Sequence, residues 1–162
     1  MTRRHSSVHH RPGRSRGQAL VEFALIAPVF VVLLFGVMEA GRFILFYEML
    51  NNATREGARY AIVHGARSSN PTGPPDDPAG AEVKQAVQNA AMSLAGSGEL
   101  YVPNPVWLPG GTAEHPSPGD PSTGNNERGN YVTVFVDYTY TPLIPLLPPI
   151  RISAESTLVV NN

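Results

Sequence analysis

The side chains that could do chemistry in this chain are few, and the first candidates are two histidines with acidic residues nearby. His64 and His115 have as candidate partners the acids Asp76, Asp77, Glu114 and Asp120. The chain has no H-E-x-x-H, G-x-S-x-G or phosphate-binding glycine loop to organise them. Two adjacent acids supply too few oxygen ligands for calcium, and Glu114-His115 lies in a Pro- and Gly-rich loop. We therefore expect no catalytic, cofactor-binding or metal-binding site, and a protein that is not an enzyme.

A second candidate is Glu22, the one charged residue in an apolar run over residues 19–38. Twenty helical residues span roughly 30 Å, the thickness of a bilayer's hydrocarbon core. An unpaired carboxylate inside such a helix costs several kcal/mol, so it is normally placed there for a reason. Glu22 either lies at headgroup level, where the cost is small, or has a partner that uses its charge.

The charge distribution around the apolar run indicates its orientation. Five basic residues and no acid precede the run: Arg3, Arg4, Arg11, Arg14 and Arg16. The positive-inside rule then places the N-terminus in the cytoplasm and everything after the run outside the cytoplasmic membrane. Of the twelve basic and thirteen acidic residues, five basic ones lie in this leader, which leaves a formal charge of −6 beyond it. Such a chain does not suit nucleic-acid binding. The absence of cysteine excludes disulfides and thiolate metal sites.

The apolar run predicts a helix that continues to about residue 63, ending at Gly65 as a C-terminal cap. Pro28 lies inside it and should kink the helix or free a carbonyl. Two acid–base pairs three residues apart, Glu39 with Arg42 and Glu56 with Arg59, each lie on one helical face.

A row of small residues follows the same helical spacing at Ala53, Gly57 and Ala61. Such a row permits close approach of another helix, either from a second subunit or from the chain's own domain. The sequence leaves both alternatives open.

The rest of the chain predicts a small α+β domain, so the fold class is a membrane-anchored α+β protein with a pilin-like long N-terminal helix. We predict a linker over residues 66–80, a short helix over 81–95 begun by Asp77 and Pro78, and a proline-weakened edge strand over 100–108. The best strands are 131–141 and 150–160, which alternate with period two and suit an antiparallel sheet. The predicted divisions are a basic leader at 1–17, the long helix at 18–65, the linker, and an outer domain at 81–162.

Aromatic and apolar residues of the outer domain have two interpretations. Trp107 and the tyrosines at 131, 138 and 140 suit core and cross-strand packing, although an interface would use them too. The apolar segment 143–147 is either buried core or a contact surface.

The residues around the apolar run also resemble a known signal. A glycine follows the basic leader, and Glu22 is the fifth residue counted from Gln18, directly followed by Phe23. This arrangement resembles the class III signal of type IV pilins and pseudopilins. The spacing over about forty residues is more narrowly similar to the TadE-like family, pseudopilin-like proteins of the tight-adherence (Flp) pilus system. The positions that carry this resemblance are Gly17, Ala19, Val21, Glu22, Phe23, Ala24, Leu25, Pro28, Gly36, Glu39, Gly41, Arg42, Ala53, Arg55, Glu56, Gly57, Ala58, Arg59 and Ala61.

The resemblance implies a structural subunit of the cytoplasmic membrane or the pilus, made as a precursor. A prepilin peptidase would cut between Gly17 and Gln18, in a processing site that includes Glu22 and Phe23. The partners would be membrane lipid, the peptidase, other pilin or pseudopilin subunits and the pilus machinery. Residues expected in helix assembly are Glu22, Pro28, Glu39, Gly41, Arg42, Ala53, Arg55, Glu56, Gly57, Arg59 and Ala61. The alternative is an uncleaved, single-pass anchored extracytoplasmic binding domain that joins no filament.

Overall fold

The computed structural model describes residues 16–94, 98–112, 115–144 and 147–161. The chain divides into two compact units, Met1–Met38 and Glu39–Asn162. Most of the predicted leader, residue 114 and part of the apolar 143–147 segment lie outside the described residues.

One long helix contributes to both units. Helix α1 runs over Arg16–Val63, 48 residues, and continues through Pro28. The long N-terminal helix is therefore confirmed. Its predicted end at residue 63 is also confirmed. Gly65, however, does not take the left-handed conformation expected of a helix-ending glycine.

A shorter helix follows in the second unit. Helix α2 covers Ala81–Ala90 and is followed by a turn of 3₁₀-helix at Met92–Leu94, so the predicted helix over 81–95 was too long. The residue before α2 is Gly80, in a left-handed conformation. Asp77 nevertheless assists as expected, because its carboxylate accepts the backbone N–H of Glu82 at 3.3 Å.

Four antiparallel strands complete the second unit: β1 (Gly98–Tyr101), β2 (Val106–Leu108), β3 (Tyr131–Tyr140) and β4 (Ile150–Val159). Strand β3 is central. It pairs with β4 along its whole length, from Tyr131 opposite Val159 to Tyr140 opposite Ile150. On its other edge, β1 pairs with one end and β2 with the other. The predicted antiparallel sheet and its two long strands are confirmed.

The prolines divide the predicted edge strand in two. Tyr101 lies opposite Asp137 and Val106 opposite Thr133, so the four residues 102–105 face three residues of β3. Pro103 lies in this bulged segment with Pro105, and neither has an N–H to donate to the ladder. A single strand over 100–108 was therefore wrong, because the pairing stops where the donors are missing.

The core forms on the helix side of the sheet. Alternate side chains of β3, Val132, Val134 and Val136, are buried in one cluster with Leu50 of α1 and Val87 of α2. Trp107, Tyr138 and Tyr140 are almost fully buried in the same cluster, which confirms their interpretation as core residues. On the opposite face, Phe135 packs with Val106 and Leu108. Both faces of the central strand are therefore covered.

Candidate functional site

The first unit carries the predicted processing residues in the first turns of α1. The side-chain amide of Gln18 donates to Glu22 Oε1 at 3.2 Å, across the four-residue spacing at which helical side chains meet. Glu22 and Phe23 are exposed. A Cβ added at Gly17 would meet no atom within 4 Å, so nothing in the fold requires a glycine there. Any need for Gly17 must come from another molecule.

The apolar part of α1 is uncovered by the chain itself. By length and composition, the helix described over Gly17–Val63 can cross a membrane, and none of its most apolar 18-residue window is buried in the fold. Leu25, Val29 and Leu33 each expose more than three-fifths of their surface. This exposed segment carries no charge over residues 23–38, which makes it a candidate membrane anchor or a surface for packing on other helices.

The second unit begins with a carboxylate held by three donors. Glu39 is only 8% exposed. The Tyr140 hydroxyl donates to its Oε1 at 2.5 Å, the backbone N–H of Leu143 donates to the same oxygen at 3.2 Å, and Arg42 Nη1 donates to Oε2 at 3.3 Å. The predicted Glu39–Arg42 pair is thus confirmed as an ion pair. Glu39 also connects α1 to the end of β3, 101 residues away in the chain, which its sequence context did not predict.

Aromatic rings enclose this carboxylate cluster. Arg42 Cζ lies 5.5 Å from the ring centroid of Tyr140 and 5.6 Å from that of Phe46, within range of a cation–π contact. Phe43 meets Tyr140 edge to face, with ring centroids 5.8 Å apart. Burial and the hydrogen bond to Glu39 raise the pKa of Tyr140 to about 12, so its hydroxyl stays protonated and donates.

The remaining residues predicted for helix assembly divide into an inward and an outward set. The inward set is the small-residue row. Ala53 and Ala61 are fully buried, and a Cβ at Gly57 would lie 2.3 Å from a methyl carbon of Val87 in α2 and 3.3 Å from one of Val134 in β3. Of the two alternatives for this row, packing on the chain's own domain is the one observed.

The outward set lies on the exposed side of α1: Gly41, Arg55, Glu56 and Arg59. A Cβ at Gly41 would meet nothing within 4 Å. Glu56 and Arg59 share a face as predicted, but these two described residues form no salt bridge with each other. This side of α1 is open to another molecule.

The outer face of the sheet holds an ionic cluster that sequence analysis missed. Asp137 is only 7% exposed. Its carboxylate accepts two hydrogen bonds from the Arg151 guanidinium, at 2.7 and 3.2 Å, and one from the Ser153 hydroxyl at 2.5 Å. Burial by itself raises the pKa of Asp137, but the hydrogen bonds from Arg151 and Ser153 and the arginine charge outweigh it, so this pKa lies below its ordinary value. The sequence did contain a signal for this cluster, because oppositely charged residues occur in the two strands that alternate between apolar and polar positions. Pairing Asp137 with Arg151, however, required the register between β3 and β4.

The histidines and acids considered for catalysis are dispersed. The ring of His64 stacks on Tyr60 with centroids 4.0 Å apart, and its Nδ1 lies 2.9 Å from the Tyr60 carbonyl oxygen. His115 and Asp120 line a shallow cavity of about 320 Å³. Within the described residues, no three His, Asp or Glu side chains come close enough together to hold a metal ion. Glu114 lies outside them.

Comparisons with known proteins bear on the N-terminal part of the chain alone. No curated protein and no solved structure matches this chain. A family model described as TadE-like protein matches residues 17–59, the part of α1 that contains Glu22, the Glu39–Arg42 pair and two members of the small-residue row, Ala53 and Gly57. This match confirms the resemblance that the motif spacing predicted, and it identifies residues 17–59 as a TadE-like segment.

Proposed function

We propose that this chain is a membrane-anchored, non-enzymatic pseudopilin-like subunit that contributes to assembly of the tight-adherence pilus. The observation that carries the proposal is the TadE-like match, which begins at Gly17 and contains the exposed apolar helix with Glu22 near its start. The match suggests a role in that pilus system. The assembly role, the processing step and the partners are our proposals.

The anchor is the apolar part of α1. Its exposed, uncharged surface is stable in lipid, where a helix satisfies all of its own backbone hydrogen bonds. The arginine-rich leader favours an N-terminus in the cytoplasm, with the unit Glu39–Asn162 on the outer side.

Processing creates the partner of Glu22. We propose that a prepilin peptidase cuts between Gly17 and Gln18, so that Gln18 carries a free amino group. The side chains of Gln18 and Glu22 are already in contact, so a group on residue 18 lies within reach of this carboxylate. In pilins that this segment resembles, the glutamate is thought to pair with the terminal amine of a neighbouring subunit. Such a pair would compensate the cost of a carboxylate in a poorly hydrated layer.

Association between subunits would use the outward side of α1. Gly41 leaves room for a close neighbour, and Arg55 and Arg59 present charges to it. The inward row around Gly57 is already occupied by α2 and β3, so it takes no part in this proposal.

Cleavage is tested with one glycine substitution and a matched control. Gly17→Val should block removal of the leader, because a branched side chain does not fit a site that selects glycine. Gly36→Val makes the same change in α1 where a Cβ also meets nothing within 4 Å, and it should leave processing unchanged. Mass spectrometry of the membrane-extracted protein reports the N-terminus in cells with a prepilin peptidase. An uncleaved wild-type chain would contradict the proposal and favour the permanently anchored binding domain.

The role of Glu22 is tested by Glu22→Ala. The substitution removes the carboxylate and leaves the amine without a partner. We expect this to cost about 3–5 kcal/mol of the free energy of association, which weakens association by more than about a hundredfold. The protein should reach the membrane in normal amount but fail to co-purify with pilus subunits. Gln18→Ala is the matched control, since it removes the side-chain amide and keeps the amine. Normal piliation with Glu22→Ala would leave Glu22 as a headgroup-level residue without an assembly role.

A further inference from the structure

Strand β4 forms an edge of the sheet in the second unit. Its ten residues pair with β3 on one side, from Ile150 to Val159, without a bulge. On its other side, no strand or loop among the described residues forms a backbone hydrogen bond with it. A row of free N–H and C=O groups can pair with another strand, and natural proteins often prevent this with proline, lysine or a bulge. Residues 150–159 contain no proline and no lysine, so this edge is open to a partner strand.

The side chains of β4 divide between a buried face and an exposed face. Ile152 and Ala154 are buried in the core, whereas Arg151, Ser153 and Glu155 are exposed on the outer face. A partner strand must keep this alternation, because a shift of one residue would turn its core face to solvent. A second copy of β4 meets the condition when it runs antiparallel about a two-fold axis through one residue, since every residue then lies opposite one from its own face.

The charges of β4 select one such register. Arg151 and Glu155 are its only charged residues, and they lie on the same face. An axis at Ser153 places Arg151 of each copy opposite Glu155 of the other. An axis at Arg151 or at Glu155 would place like charges opposite each other, and every other axis leaves both residues opposite uncharged ones. Opposite charges directly across an antiparallel pair stabilise it, and like charges destabilise it, so the sequence of β4 favours the axis at Ser153.

Both charged side chains are able to make this additional contact. Arg151 uses Nε and Nη2 on Asp137, and its side chain is still 69% exposed. A guanidinium has five N–H donors, so three remain. Glu155 forms no hydrogen bond and no ion pair with any residue that the structure describes. In the paired arrangement, each Arg151 would lie between Asp137 of its own chain and Glu155 of the other.

The segment before β4 takes no part in this pairing. Pro148 and Pro149 have no N–H for a ladder, so the pairing begins at Ile150. Leu143 and Leu147 are 57% and 46% exposed, so burial in the core, one of the two alternatives for this segment, is wrong for these two residues.

We propose that two copies of this protein pair through β4, antiparallel about Ser153, so that their two four-stranded sheets join into one. The paired segment covers residues 150–156 of each copy. Such a two-fold contact closes on itself and therefore gives a dimer rather than a filament. The contact involves the second unit alone, so it goes beyond the proposed pilus role and depends neither on cleavage of the leader nor on association through α1.

Cysteine cross-linking tests the register directly, because the natural chain contains no cysteine. Full-length protein carrying Ser153→Cys is purified in detergent and oxidised with copper–phenanthroline. The Cα atoms of a directly opposed pair lie about 4.5–5.5 Å apart, within the range that a disulfide spans. Val159→Cys is the matched control, since Val159 is exposed on the same face but its two copies would lie about 40 Å apart. Ser153→Cys should give at least about fivefold more disulfide-linked dimer than Val159→Cys.

Charge reversal tests the ion pairs that select the register. In the Ser153→Cys background, Glu155→Arg faces Arg151 of the second copy and should lower the cross-linked fraction at least about fivefold, because two attractive contacts become repulsive. Glu99→Arg is the matched control. It makes the same change at an exposed residue of the edge strand β1 and should leave the cross-linked fraction unchanged. Emission of the buried Trp107 checks that each variant is folded.

Four results would overturn the proposal. The first is an equal yield of dimer from Ser153→Cys and Val159→Cys, and the second is a yield that Glu155→Arg leaves unchanged. The third is a loss of dimer with Glu99→Arg, because β1 of another copy would then lie against β4. The fourth is a disulfide in native membranes that joins Ser153→Cys to a different protein instead of to a second copy.

Discussion

Removing the hydroxyl of Tyr140 tests whether Glu39 holds the N-terminal helix to the end of the sheet. The hydroxyl lies 2.5 Å from Glu39, and both residues are buried. A hydrogen bond to a charged acceptor contributes about 1.5–3 kcal/mol to stability. In Tyr140→Phe, Glu39 keeps its hydrogen bonds from Leu143 and Arg42. We therefore expect the free energy of unfolding to fall by about 1.5–2 kcal/mol, near the lower end of this range.

Removing the carboxylate should cost more than removing the hydroxyl. Glu39→Ala strands the buried Tyr140 hydroxyl and the Leu143 N–H, and the penalty of unpaired groups raises the expected loss to about 3–5 kcal/mol. Because both variants break the same bond, their effects should not add. We expect the double variant to reveal a coupling energy of about 1–3 kcal/mol.

Urea unfolding of the detergent-solubilised chain measures these losses. Trp107 is the only tryptophan and is fully buried in the second unit, so its emission reports unfolding of that unit. With a slope of about 1–3 kcal/mol per molar urea, a loss of 2 kcal/mol lowers the midpoint by about 1 M. Tyr101→Phe is the matched control, since Tyr101 is 62% exposed and its variant should stay within about 0.5 kcal/mol of wild type. Equal midpoints for Tyr140→Phe and Tyr101→Phe would refute the reasoning.

Two further predictions concern the same unit. Gly57→Val places a side chain where Val87 already lies, and it should destabilise the unit by about 1–3 kcal/mol or more. Gly41→Val makes the same change at an open position and should leave the stability of the unit unchanged. Equal urea midpoints for the two variants would contradict the packing around Gly57. Because the pKa of Asp137 is lowered in the fold, its pairing with Arg151 contributes fully to stability when the pH is above the ordinary aspartate pKa. This contribution is lost as the pH falls through the lowered pKa of Asp137. Urea midpoints measured from about pH 5 to about pH 2 should therefore fall more steeply for wild type than for Asp137→Asn, and parallel curves would count against the pair.

The features that could be predicted from sequence are those that depend on neighbouring residues. An uncharged run followed by periodic apolar residues specified one long helix, and α1 follows it from Arg16 to Val63. Strict alternation specified β3 and β4, because successive side chains of a strand point to opposite faces. Fixed spacings within α1 were enough to indicate the TadE-like segment.

Local signals gave less information at the ends of elements. Prolines at 103 and 105 indicated a weak strand, but its division into β1 and β2 depended on where β3 offered partners. The Pro- and Gly-rich composition before α2 indicated a linker. In the fold, Thr72 is fully buried and Gly73 lies so close to the Trp107 ring that a Cβ would be 2.5 Å from it. Composition does not reveal such a contact, because it needs a residue from a distant strand.

The roles of Glu39 and Gly57 were decided by the tertiary structure. From sequence, Glu39 had a helical partner at Arg42, and Gly57 belonged to a row that suited either another subunit or its own domain. Folding brings Tyr140 and Leu143 to Glu39 across about a hundred residues, and it fills the space beside Gly57 with Val87. Helical and strand periodicities relate residues a few positions apart. Contacts between elements depend on strand register and on which helix face meets the sheet, so the sequence determined the elements, and only their packing decided which residues meet.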